Sequence, residues 1–70
     1  MINLDERYHD YLDGSKKLRI DGVEERVTAY GFTDNGSDID GYYLTTKNYQ
    51  LYYSLDGNFK KMVALDKVAV

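Results

Sequence analysis

The chain has 70 residues, eight tyrosines, one histidine, no cysteine and no proline, and a net charge of −3 at pH 7. A single domain spanning residues 1–70 follows, and a chain this short buries only about 60% of the surface exposed by its unfolded form. Lack of cysteine excludes a disulfide framework, one histidine does not make a structural zinc site, and the acidic balance argues against general binding to duplex DNA or anionic membranes.

Residues 2–12 read INLDERYHDYL and place Leu4, Tyr8, Tyr11 and Leu12 at helical spacing, with Asn3 or Asp5 as N-cap and acids in the first turn. The spacing predicts a short amphipathic helix, ended by Gly14. Too short to persist alone, it must lie on a sheet through Leu4, Tyr8 and Leu12.

The next segment, KKLRIDGVEERVTAYGFT, holds two alternating runs around Asp21-Gly22. A two-residue hairpin loop there sets Ile20 against Val23 and Arg19 against Glu24, pairing apolar with apolar and opposite charges with each other. Asn35-Gly36 is a turn signal of the same kind and sets Phe32 against Ile39, Ala29 against Tyr42 and Val27 against Leu44. Lys47-Asn48 sets Leu44 against Leu51, Tyr42 against Tyr53 and Tyr43 against Tyr52. At Asp56-Gly57 two registers stay open: a two-residue loop turns Asn58, Lys60 and Met62 to the core, and a three-residue loop with Gly57 in a bulge turns Phe59, Lys61 and Val63 there. The tail DKVAV either extends the last strand or curls the sheet.

The expected fold is α+β and mostly β: a short N-terminal helix packed on a five-stranded antiparallel meander, with curling into a small SH3-like or OB-like barrel as the open alternative. Face one gathers Leu18, Ile20, Val23, Val27, Ala29, Tyr42, Leu44, Tyr49, Leu51, Tyr53 and Leu55, interrupted by Glu25, and is the core face. Face two gathers Lys17, Arg19, Arg26, Thr28, Tyr30, Phe32, Tyr43, Thr45, Gln50, Tyr52 and Ser54, and is open to solvent.

Asp34, Asp38 and Asp40 offer hard oxygen ligands, but aligning Asp38, Asp40 and Gly41 with a calcium loop puts Gly36 at its first position and Lys47 at its last, so no metal is assigned. His9 and Asp10 are neighbours on a helix and diverge by about 100°. No nucleophile, base and orienting group assemble around them, which points away from an enzyme and from any cofactor. The run YYLTT…LYYSLDGNFKK resembles in texture the aromatic hairpin repeats of choline-binding and related cell-wall-binding modules. It has neither their tryptophans nor their fixed period, so no function is carried over.

What remains is the tyrosine row of face two. Tyr30, Tyr43 and Tyr52, with Arg19 and Arg26 towards one edge, form the candidate binding site. Tyrosine and arginine are enriched at protein interfaces, so a protein partner is expected: a non-enzymatic interaction module, such as a phage or mobile-element accessory or inhibitor protein. Stacking of unpaired bases on the same rings is the second reading, and a purely structural or self-associating role is the third. Homo-oligomers by edge-strand pairing fit a chain whose outer strands have no proline. No segment is long and apolar enough to cross a bilayer, so a cytoplasmic protein without a membrane partner is expected.

Overall fold

The computed structural model describes residues 2–65. One helix, α1 (Leu4–Leu12), is followed by six strands: β1 (Leu18–Ile20), β2 (Val23–Glu25), β3 (Val27–Asp34), β4 (Ile39–Thr46), β5 (Tyr49–Ser54) and β6 (Phe59–Ala64). β1 and β2 form a hairpin by themselves, and β3 to β6 form a four-stranded antiparallel meander in sequence order. The fold is therefore mostly β with one helix, but not a five-stranded meander. The strand expected to run unbroken from Val23 to Phe32 is interrupted at Arg26. Among the described residues β3 and β6 do not meet, so the sheet is open. The tail DKVAV lies outside the described residues.

α1 starts where expected. Asn3 is the N-cap, its Oδ1 accepting from the Glu6 N–H at 3.1 Å, and Asp5 and Glu6 place negative charge at the positive end of the helix dipole. Leu4 and Tyr8 are buried, and Ile2 and Tyr11 pack around the same core. Leu12 departs from expectation and stays 37% exposed. One residue on from Tyr11, it has rotated off the buried stripe. Its carbonyl instead accepts from Arg26 Nη2 at 2.9 Å, which ties the helix end to the break between β2 and β3.

The first hairpin has the expected register, with Ile20 opposite Val23 and Arg19 opposite Glu24. Asp21 and Gly22 take φ of 52° and 81°, the two positive values that a type I′ loop needs. Val23, expected on the core face, is exposed because this hairpin has left the sheet. The β4–β5 pairing also follows expectation: Leu44 faces Leu51, Tyr42 faces Tyr53 and Tyr43 faces Tyr52. Thr46 helps to hold its turn, its Oγ1 accepting from the Asn48 and Tyr49 N–H groups.

The β3–β4 register corrects the sequence reading. Phe32 pairs with Tyr42 and Tyr30 with Leu44, so Tyr30 and Phe32 lie on the core face and Ala29 on the other, the reverse of expectation. Two register shifts are responsible. Asp34 and Asn35 accept from the Gly36, Ser37 and Asp38 N–H groups and build a four-residue loop over residues 35–38, which moves the register by two and keeps the faces. The shift between Thr33 and Asp34, where Asp40 has no pairing partner on β3, then reverses them. A register shift between Val27 and Ala29 then returns Val27 to the core, where it is fully buried opposite Thr46. At the last hairpin each open register is realised in part. The tip is a three-residue loop with Gly57 at φ 90°, Phe59 faces Tyr53, and a shift at Lys60 then sets Lys61 against Tyr52 and Met62 against Leu51.

The core sits between α1 and the β3–β4 half of the sheet, with Val27, Tyr42 and Leu44 at its centre. An aromatic series crosses it. Tyr11 and Tyr30 flank Tyr8, Tyr8 meets Tyr42, Tyr42 stacks on Tyr53 at 5.1 Å, and Phe59 meets Tyr53 edge-on.

Candidate functional site: the tyrosine face of the sheet

Because α1 covers face one, face two of the four-stranded sheet is the side turned away from the helix. Tyr43 and Tyr52 are directly paired there on the two central strands, both half-buried, with Thr45 and Gln50 as the next pair. The flanking strands supply what sequence reasoning missed. Gly31 lies opposite Tyr43 on β3, and a Cβ added to it would stand 2.8 Å from the Tyr43 Oη and 2.9 Å from its Cε2. The ring thus lies down on bare backbone, and glycine is what lets it. On the other side Lys61 of β6 pairs with Tyr52 and holds its Nζ 5.0 Å from the ring centroid, within cation–π range. The pattern Gly31, Tyr43, Tyr52, Lys61 therefore runs across all four strands. Lys61 was legible in the two-residue register of the last hairpin, whereas Gly31 was hidden by the mistaken β3 register.

The remaining expected site residues lie elsewhere. Tyr30 is on the helix side, its hydroxyl donating to Asp5 Oδ1 at 2.6 Å. That bond to a carboxylate, with desolvation second, raises the Tyr30 pKa above the ordinary tyrosine value. Arg26 holds the end of α1 through Leu12 O. Arg19 donates to Gly22 O within its own hairpin, at 3.3 Å. Of the five, Tyr43 and Tyr52 alone share the open face of the sheet.

Other candidate chemistry is likewise absorbed locally. His9 and Asp10 do touch, Nε2 to Oδ1 at 3.0 Å, on the exposed side of α1. In the acidic loop, Asp34 accepts from the Gly36 N–H and Asp40 from Thr33 Oγ1 at 2.9 Å. Glu25, read as an interruption of the core face, is indeed buried, and its two carboxylate oxygens accept from Asn48 Nδ2 at 3.3 and 3.1 Å. This bond joins the β1–β2 hairpin to the β4–β5 turn. Among the described residues no helix is long and apolar enough to cross a membrane.

Comparisons with protein-family models, with curated proteins and with solved structures find no match to this chain.

Proposed function

We propose that this chain is a non-enzymatic protein-interaction module, and that the Tyr43–Tyr52 pair on the helix-free face of the sheet is its contact surface. The observation that carries the reading is the pairing itself. Two aromatic rings sit side by side on rigid central strands, one seated on Gly31 and the other under Lys61, so little rotamer freedom is left to lose on binding. Rigid, partly wet tyrosines of this kind are favoured anchors at protein interfaces. The displacement of Arg19 and Arg26 from this face favours a protein over a nucleic acid, since a stacking platform for unpaired bases works with a cationic groove that tracks phosphates. An accessory or inhibitor role, in which the chain occupies a partner's surface, is the form of function that suits it.

The test replaces both rings by threonine, a residue suited to strands. The immobilised wild-type chain is expected to retain a defined protein from lysate of the native host, and Tyr43→Thr/Tyr52→Thr to lose it while the circular dichroism spectrum and melting transition persist. Loss of folding in the double variant would show instead that the pair serves stability. Short single-stranded oligonucleotides should not bind at physiological salt. Binding that weakens steeply with salt and requires Tyr52 would favour the nucleic-acid reading.

A further inference from the structure

The outer edge of β6 carries a second, independent signal. Leu65 N–H donates to Asn48 O, and the pairs Gln50–Val63 and Tyr52–Lys61 continue that ladder. In an antiparallel pair alternate residues turn their polar groups towards the neighbour, so Lys61 and Val63 point theirs at β5. Met62 and Ala64 turn theirs outward, and among the described residues no strand receives them; Lys60 stands at the bulge just before this regular stretch. All of β6 is exposed, including Phe59, Met62 and Val63.

We propose that β6 pairs antiparallel with β6 of a second copy, about a two-fold axis through Met62, to give a continuous eight-stranded sheet. Met62 is the centre of the outer edge of β6, with Lys60 two residues before it and the outward Ala64 two residues after. A two-fold there lets Met62 exchange both backbone bonds with its counterpart and sets Lys60 against Ala64 twice. On the opposite face the same register sets Lys61 against Val63. No lysine meets a lysine, so the charges that usually guard an edge are not opposed across this one. Lys61 also reaches back over its own Tyr52 ring and leaves the edge clear. α1 does not obstruct it, since the helix packs on β3 at the far side of the sheet. A second copy is favoured over a foreign strand because this one register satisfies both edges together. The inference stands on the edge of β6 and does not depend on a partner for the tyrosine face.

Sedimentation equilibrium of the full chain from micromolar to millimolar concentration is expected to give a monomer–dimer equilibrium. Met62→Lys, which places two ammonium groups at the axis, should weaken it by about tenfold or more. The chain has no cysteine, so Met62→Cys reports the register directly. Hydrogen-bonded partners have Cα atoms about 5.5 Å apart, within the disulfide range of about 4.4–6.8 Å, but their Cβ atoms stand wider than the ideal of about 3.8 Å, so oxidation should yield a cross-linked dimer whose strained disulfide is readily reduced. Val63→Cys, which faces Lys61 and not its own counterpart, should cross-link far more slowly. A chain that stays monomeric throughout, a dimer that Met62→Lys leaves intact, or equal cross-linking at positions 62 and 63 would each overturn the proposal. Should Met62→Lys fail to fold, the two cysteine variants still decide the register.

Discussion

Tyr8 on α1 and Tyr42 on β4 join their hydroxyls in a buried hydrogen bond of 2.8 Å. Among the described residues it is the one polar contact between the helix and the centre of the core, and its two rings also touch, with centroids 5.7 Å apart. A buried hydroxyl left without a partner costs about 1–3 kcal/mol, whereas removing both together is close to neutral. Tyr8→Phe and Tyr42→Phe should therefore each lower stability by about that amount, and the double variant should recover most of the loss. Chemical denaturation of the four proteins measures the coupling; additive losses would mean that each hydroxyl has another partner.

The same tyrosines set the alkaline limit of the fold. Burial raises the Tyr8 pKa first and the Tyr42 bond adds to it, burial raises Tyr53, and the bond to Asp5 raises Tyr30. A pKa raised in the native state favours the protonated form there. These groups' contribution is complete below the ordinary tyrosine value of 10.0 and is lost as pH rises above it. Denaturant midpoints should stay level from neutral pH to about 9 and fall beyond about 10. The Tyr8→Phe/Tyr42→Phe variant should show a shallower fall, and an identical pH profile would assign the effect to other groups.

Two leucines that look alike in the sequence should respond differently. Leu44 is fully buried, so Leu44→Ala should cost about 2–5 kcal/mol. That is a large part of the roughly 4–10 kcal/mol expected for a chain of this length. Leu12, though on the predicted helix, contributes its carbonyl more than its side chain, and Leu12→Ala should cost under about 1 kcal/mol. Comparable shifts in melting temperature would contradict the helix orientation.

The parts of the fold legible in advance were those set by adjacent residues. Asp21-Gly22 fixes a two-residue loop through its own positive φ angles, Lys47-Asn48 is held by the neighbouring Thr46 hydroxyl, and both registers follow by counting. The β3–β4 register was not legible. There the loop length depends on side-chain acceptors from Asp34 and Asn35, the shift that skips Asp40 next to it reverses the faces, and a second shift at Thr28 returns Val27 to the core. Arg26 belongs to the same class, since its break in the strand coincides with a bond to Leu12, fourteen residues earlier in the chain. The site inherited this division. Tyr43–Tyr52 came from a local turn and stayed, while Tyr30, assigned through the β3 register, moved to the other side of the sheet.

Two strand glycines separate the role of the tyrosine face from that of the core. At Gly31 the atoms that an added Cβ would crowd belong to the far end of the Tyr43 side chain, which can swing aside. At Gly41 the crowded atom is the backbone carbonyl oxygen of Tyr53, fixed in the β4–β5 ladder. Gly41→Ala should therefore cost about 1–3 kcal/mol or more, because strand backbone must move to relieve the clash. Gly31→Ala should cost clearly less and leave the fold intact, while lifting the Tyr43 ring off β3. Chemical shifts of the Tyr43 ring in a selectively labelled sample would report that movement, and melting curves the difference in stability. If Gly31→Ala alters the ring and also weakens partner capture with little loss of stability, the seated position of Tyr43 is itself part of the contact surface. If Gly31→Ala proves as destabilising as Gly41→Ala, the ring is pinned by contacts on its outer side and the face is less open than its pairing implies.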